Sequence, residues 1–238
     1  MRLGFLAACA LVASAQAAVD PMAAVAPRAE FEPPPAGSYQ LQRIQGTGDA
    51  VLLDAAGQVR HLAPLLHGKV TLLTFFYTYC VDPLGCPFAR ATLAGLRARV
   101  VAEPALAGRV RFVTVSLDPF NDTPEALRAY AAQIGPDPRL EWRLLTAHSV
   151  ARLLPLLDDF GQDVSVETDA RGRPTRTLHH MLKVFLIDPT GTVREIYSLA
   201  FLQPQVMFND IETLAFEAQA ARSATGAAKS HPGTQSLR

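Results

Sequence analysis

Two cysteines, Cys80 and Cys86, flank five residues (VDPLG, 81–85) in which Pro and Gly favour a loop. A pair of thiols on a short loop can exchange a disulfide with another protein or bind a soft metal ion. A structural disulfide is the simplest alternative, but such bridges rarely join the end of a buried strand to the start of a helix. The pair therefore marks the candidate site of the chain.

The elements on either side of the loop indicate how the thiols are held. Val70–Tyr77 is an apolar run rich in β-branched and aromatic residues, which predicts a buried strand. Pro87 opens a helical pattern, predicted from Phe88 to Val101. Cys86 should therefore lie at the helix N-terminus, where the partial positive charge lowers a thiol pKa. We expect Cys86 to be the more acidic of the two thiols.

Length and composition allow one domain of moderate size with tails, because the chain has 238 residues. It is 49% hydrophobic and 18% charged, so it can bury a core. Its formal net charge is zero, which gives no support for nucleic-acid binding.

The N-terminus has the pattern of a secretory signal peptide, predicted for residues 1–17. It has one Arg, an apolar stretch and an A-x-A cleavage pattern at 15–17. The apolar stretch is short for a membrane span, although an uncleaved anchor and lipidation of Cys9 are alternatives. Cleavage would leave Cys80 and Cys86 as the thiols of an exported protein in an oxidising compartment. The expected location is the periplasm.

Composition also sets the predicted domain boundaries. Residues 18–44 are rich in Pro and Ala and predict an extended, mobile linker. Residues 45–222 form the predicted folded domain, and residues 223–238 are predicted to be disordered. Within the domain, a Gly-containing turn predicts a β-hairpin over 50–62. The polar residues 161–178 predict a surface loop.

Strands and helices alternate through the first half of the domain. Apolar runs predict further strands, at 110–117, 184–187 and 193–197, and a short strand or loop at 142–145. Helical patterns follow, at 124–134, 149–160 and about 204–221. Thr123 is the expected N-cap of the first of these. This order predicts an α/β fold, a thioredoxin-like sandwich whose central mixed sheet is flanked by helices, with an N-terminal β-hairpin.

Four stretches of the chain carry a family likeness. They are the strand before the first cysteine (GKV at 68–70, FFYTYC at 75–80), the second cysteine and its proline (86–87), SLDPFNDTP (116–124), and His180 ahead of LIDPTG (186–191). Together, over about residues 45–215, they resemble the Sco/SenC family of copper proteins. That family assists assembly of the binuclear copper site of cytochrome c oxidase.

The resemblance implies a copper metallochaperone in which Cys80, Cys86 and His180 bind copper, as Cu(I) or Cu(II). The partners it implies are a cytochrome c oxidase subunit or another copper-receiving protein, and other periplasmic copper or thiol-redox proteins. The chain departs from the family in two ways. Its cysteine spacing is C-x5-C where the family usually has C-x3-C. His179 also precedes the copper histidine where the family commonly has Asp. We expect His179 to be an exposed neighbour or hydrogen-bond partner, with an extra copper ligand as the alternative.

The same residues leave enzymatic interpretations open. As a thiol–disulfide oxidoreductase, the chain would use Cys80 and Cys86 as a redox-active pair that reduces cysteines of a partner protein. Thioredoxin-type enzymes resemble one another in having C-x-x-C and a cis-proline, and this chain has Leu182 at the latter position, which favours copper. A peroxidase-like enzyme has less support, because no peroxidatic motif precedes a single cysteine.

Other polar and sulfur-containing residues have simpler predicted roles. Asp118 and Asp122 are expected to be turn and cap residues, with contacts to the metal ligands as an alternative. Met181 and Met207 can supply thioethers but are expected to fill the core. The remaining histidines belong to no motif and are expected at the surface or in structural contacts: His61, His67, His148 and His231.

Overall fold

The computed structural model describes residues 31–229, with the backbone alone for 224–229. The predicted signal peptide, Cys9 and the alternative anchors lie outside the described residues, as does His231. Within residues 31–229, no helix has both the length and the apolar character needed to cross a membrane.

A central mixed sheet of eight strands organises the fold, in the spatial order β1-β10-β9-β4-β5-β6-β2-β3. The strands β4, β5 and β6 run parallel, and the others join antiparallel. A separate two-stranded sheet contains β7 and β8. The ten strands are β1 (Gln45–Gly46), β2 (Val51–Asp54), β3 (Val59–His61), β4 (Val70–Phe76), β5 (Val110–Ser116), β6 (Glu141–Thr146), β7 (Val164–Thr168), β8 (Pro174–His180), β9 (Lys183–Ile187) and β10 (Thr192–Ser198).

Helices cover both faces of the central sheet. They are α1 (Ala63–Leu66), α2 (Cys86–Ala102), α3 (Pro124–Ile134), α4 (Val150–Asp159) and α5 (Pro204–Lys229), with a 3-10 turn at Leu199–Phe201. Leu72 of β4 packs in the core formed with α2 and α5, whereas its neighbour Leu73 packs in the core formed with α4. Because successive side chains of β4 enter opposite cores, the strand is a continuous apolar run. The predicted α/β sandwich with a mixed sheet is confirmed.

Several local predictions are confirmed by hydrogen bonds. The hairpin is β2 paired antiparallel with β3. Thr123 caps α3, accepting the backbone N–H of Ala126 at 3.4 Å. The segment at 142–145 is part of the strand β6, hydrogen-bonded to β5.

The prediction of a surface loop over 161–178 is wrong. Most of this segment is the antiparallel pair β7–β8, joined by a turn in which the Asp169 carboxylate accepts the backbone N–H groups of Arg171 and Arg173. Gly172 supplies the positive φ of 73° that this turn requires. Val164 and Val166 alternate with polar residues in β7, but β8 has no such pattern. Both strands have exposed or half-buried side chains throughout, so the segment is polar overall and the prediction followed its composition.

The ends of the domain are more ordered than the sequence predicts. Part of the predicted mobile linker packs on α5, where Gly37 donates its N–H to Thr213 and Tyr39 bonds Asp210. At the other end α5 continues to Lys229, so residues 223–229 of the predicted disordered tail are helical. Hydrogen bonds to the helix, which have no local sequence signature, hold the linker.

Candidate functional site

The loop between β4 and α2 brings the two cysteines together. Gly85 donates its N–H to the Asp82 carbonyl at 2.9 Å, and Leu84 donates to the Asp82 carboxylate at 3.1 Å, which makes a tight turn. The helix α2 begins at Cys86, two residues before the predicted start, and the predicted place of Cys86 at the helix N-terminus is confirmed. A Cβ atom on Gly85 would lie 3.3 Å from the Cys80 sulfur, so the turn leaves no easy room for a side chain there. Both cysteines are free thiols.

The prediction that Cys86 is the more acidic thiol is wrong. The Cys86 thiol donates a hydrogen bond to the Cys80 sulfur. The same sulfur accepts hydrogen bonds from the backbone N–H groups of Cys86 and Asp82 and from the Tyr77 hydroxyl. Because these donors stabilise the thiolate, the pKa of Cys80 is lowered to about 5. The pKa of Cys86 is raised, because its proton is held by Cys80 and because the side chain is buried, with 5% of its surface exposed. The first turn of α2 thus stabilises charge on the sulfur in front of the helix rather than on the residue that starts it.

Tyr77 links the cysteine loop to β8. Its hydroxyl donates to the Cys80 sulfur and accepts the backbone N–H of Leu178, and burial and the negative charge of Cys80 raise its pKa well above the usual range. Its ring contacts the His180 ring edge-on, with 6.2 Å between centroids. Tyr77 therefore connects a thiolate of one element with the histidine of another.

His180 is the last residue of β8 and is held in one tautomer. Its Nδ1 donates to the Met181 carbonyl at 3.3 Å, because a carbonyl oxygen can only accept. The lone pair is therefore on Nε2, free for a metal ion. Burial lowers the pKa of His180, although the charges of Cys80 and Asp82 act in the opposite direction. The imidazole is neutral near pH 7 and within electrostatic reach of Cys80.

His179 points to the other side of the same strand, because side chains alternate along β8. Its Nε2 lies 3.8 Å from the Glu167 carboxylate on β7, and its side chain is 61% exposed. The strand thus separates the roles of the two histidines, with His180 beside Tyr77 and His179 at the surface. The other described histidines are exposed: His61, His67 and His148.

The SLDPFNDTP sequence holds the cysteine loop through residues that precede Cys80, a role that differs from both the turn and cap role expected and the alternative of contacts to the metal ligands. Asp122 is fully buried and accepts the hydroxyl of Ser116 at 2.6 Å and both the hydroxyl and the N–H of Thr78, at 2.5 and 3.1 Å. Asp118 accepts the hydroxyl of Tyr79. Two carboxylates of one turn thus tie down the two residues before Cys80. The available signal in the sequence was the pair of Asp residues in the motif SLDPFNDTP, directly after a predicted strand.

The donor atoms suit a soft metal ion, although they are not yet gathered around one point. Among residues 31–229, no three or more His, Cys, Asp or Glu side chains are close enough together to hold an ion as they stand. Cys80 and Cys86 are adjacent, so His180 would have to approach them. Met207 is fully buried in the core, whereas Met181, beside His180, is 63% exposed and does not fill the core as expected.

The SCO1/SenC family model matches residues 39–215. A SCO1/SenC family lipoprotein from Bacillus anthracis str. Ames is similar in structure, with 26% identity, a TM-score of 0.59, and coverage of 72% of this chain and 95% of that chain. No curated protein matches the chain.

Two further solved structures share the fold at lower identity. Arabidopsis thaliana ScoI, solved with copper bound, has 20% identity, a TM-score of 0.60, and coverage of 73% of this chain and 99% of that chain. BsSco, described as a member of the Sco family of cytochrome c oxidase assembly proteins with a disulfide switch, has 22% identity, a TM-score of 0.58, and coverage of 75% and 98%.

Proposed function

The chain belongs to the SCO1/SenC family, and from that premise we propose that it is a periplasmic copper metallochaperone. It binds one copper ion through Cys80, Cys86 and His180 and passes the ion to a subunit of cytochrome c oxidase or another copper-receiving protein. Copper in the Arabidopsis relative supports the choice of cargo, and the description of BsSco supports the choice of recipient.

Two adjacent sulfurs and one neutral imidazole near the same end of the sheet support this proposal. Cys80 is largely ionised near pH 7, because its pKa is about 5. His180 presents an unprotonated Nε2, because its Nδ1 proton is engaged by the Met181 carbonyl. Thiolates are soft ligands that suit Cu(I), and imidazole binds both copper states.

Copper binding requires two further changes. Cys86, whose pKa is raised, must release its proton, since the thiolate is the ligand. His180 must move toward the sulfurs, which the separate β7–β8 sheet permits, because it is hydrogen-bonded to no strand of the central sheet within the described residues.

A copper titration of the reduced protein tests the proposal. Cys80→Ser, Cys86→Ser and His180→Ala should each lose stoichiometric binding of one ion. His179→Ala is the matched control, because it removes an imidazole from the next position of the same strand, and it should retain binding. Equal binding by His180→Ala and the parent would contradict the three-ligand site.

The proposed location has its own test. Mass spectrometry of the protein recovered from the periplasm should give a chain that begins near Ala18 and lacks Cys9. An intact N-terminus in the cytoplasmic fraction would contradict export.

A thiol–disulfide oxidoreductase is the second candidate, favoured by the arrangement of the thiols. The ionised Cys80 and the buried Cys86 line a cleft of about 100 Å³. Cys80 would attack a partner disulfide and expel one thiolate. Cys86 would then lose its proton and attack the Cys80 sulfur, releasing the second thiolate. Two electrons pass to the partner, and the protein is left with a Cys80–Cys86 disulfide. Reduction of a model disulfide by protein that binds no copper would favour this candidate.

A further inference from the structure

The segment that follows α4 is held rigidly at the base of the β7–β8 sheet. Gly161 has a φ of 54°, and its N–H bonds the Asp158 carbonyl at 3.0 Å. Gln162 donates its N–H to the Leu157 carbonyl at 2.8 Å. These bonds cap the C-terminus of α4. They fix the backbone from which the Gln162 side chain extends.

The Gln162 side chain reaches the turn between β8 and β9. It is 3% exposed, and its Nε2 donates to the Met181 carbonyl at 3.1 Å and to the Asp163 carbonyl at 3.3 Å. The same Met181 carbonyl accepts the Nδ1 proton of His180. One carbonyl oxygen thus accepts hydrogen bonds from both the amide of a buried glutamine and the imidazole of the candidate site.

The oxygen of the Gln162 amide indicates that packing alone does not explain why a glutamine occupies this buried position. The Oε1 atom of Gln162 is buried and has no hydrogen-bond partner among the described residues. An unpaired buried acceptor destabilises the fold, so an apolar side chain of similar size would fill this space at lower cost. The donor end of the amide is therefore the part with a role.

Backbone pairing holds the strand of His180 from one side only. The strand β8 pairs only with β7 in the described chain, where His180 lies opposite Val164. A second tie crosses the same corner, since Lys183 Nζ donates to the Gly161 carbonyl at 2.6 Å. Gln162 differs from Lys183 in that its bond ends on the carbonyl that His180 uses.

We propose that Gln162 is a positioning residue for the copper site. Through the Met181 carbonyl it keeps His180 in the Nδ1–H tautomer, so that the Nε2 lone pair stays available to a metal ion when His180 approaches the cysteine pair. The inference rests on the proposed function, because it assigns Gln162 to the same copper site. Groups that hold the second ring nitrogen of a metal-binding histidine commonly change metal affinity by about 10–100-fold when they are lost.

The test compares Gln162→Met with Lys183→Met in the full reduced chain. Gln162→Met retains the volume and removes the donor, whereas Lys183→Met loosens the same corner without touching the Met181 carbonyl. Cu(I) affinity is measured by competition with a coloured chelator, and the tautomer of His180 is read from the ring nitrogen shifts in copper-free protein.

Gln162→Met should weaken Cu(I) binding by about 10-fold, the lower end of that range because Gln162 acts through the carbonyl, and should lower the Nδ1–H population of His180. Lys183→Met should stay close to the parent in both. Parent-like affinity and tautomer in Gln162→Met would overturn the inference. Equal losses in both variants would also overturn it, because they would indicate a general loosening of the corner.

Two further readouts keep the outcomes separate. If Gln162→Met does not fold, the test is made on the parent protein by hydrogen exchange. The side-chain amide protons of Gln162 should exchange slowly with solvent, and fast exchange would overturn the inference. If the parent binds no copper, the proposed function fails, while the tautomer comparison still decides whether Gln162 positions His180.

Discussion

Replacing Tyr77 with phenylalanine removes a hydroxyl that donates to the Cys80 thiolate and leaves the ring in place. A hydrogen bond to a charged group contributes roughly 1.5–3 kcal/mol, and one pKa unit corresponds to about 1.4 kcal/mol. Cys80 is half-buried, so solvent screens part of this effect and the lower end applies. We expect the Cys80 pKa to rise by about one unit, from about 5 to about 6. The thiolate fraction at about pH 6 should then fall from about nine-tenths to about one-half.

The assay is the rate of alkylation of the reduced protein as a function of pH, with the modified cysteine identified by peptide mass spectrometry. Tyr39→Phe is the matched control, because the Tyr39 hydroxyl bonds Asp210 of α5, away from the cysteine loop. It should keep the parent profile. A Tyr77→Phe profile that coincides with the parent would refute the assigned hydrogen bond. Faster alkylation of Cys86 than of Cys80 in the parent would refute the assignment of the acidic thiol.

Three further predictions concern stability and the loop. Asp188→Asn should lower the free energy of unfolding at pH 7 by about 3 kcal/mol, because it breaks a buried pair with Arg194 at 3.0 Å. The pKa of Asp188 is lowered in the fold, so its contribution to stability is present above about pH 4 and is lost as the carboxylate protonates at lower pH. Urea unfolding measured across pH should show the stabilities of the parent and the variant converging at that low pH. Thr78→Val should lower the free energy of unfolding by about 1–3 kcal/mol in the same assay, because buried Asp122 loses the hydroxyl that it accepts at 2.5 Å. An unchanged free energy of unfolding would show that this hydrogen bond does not stabilise the fold. Gly85→Ala places a Cβ at 3.3 Å from the first cysteine's sulfur, so the thiol pKa from alkylation should rise as the turn opens; a parent-like pKa would contradict the tight approach.

The sequence was sufficient where the signals are local. The strand β4 follows from an uninterrupted apolar run, and the start of α2 from a proline beside Cys86. Thr123 could be assigned as a cap because capping is a contact between near neighbours in the chain. The order of these elements was then enough to predict the α/β sandwich.

The β7–β8 sheet and the contacts of the linker could not be predicted in the same way. No side chain of these two strands is fully buried, so burial imposes little pattern on their sequence. The bond from Gly37 to Thr213 joins residues that are distant in the chain, and neither residue type signals it. The same holds for Gln162, whose contact with the turn after His180 depends on how α4 packs.

The sequence by itself determined which residues could carry the chemistry, namely two cysteines on a strand–loop–helix and a histidine later in the chain. Only the tertiary structure decided how that chemistry is divided among them. The acidic thiol is Cys80 rather than Cys86, and the histidine beside Tyr77 is His180 rather than His179. The physical reason is that a pKa depends on the donors, charges and burial around an atom in space, and most of those groups come from other parts of the chain.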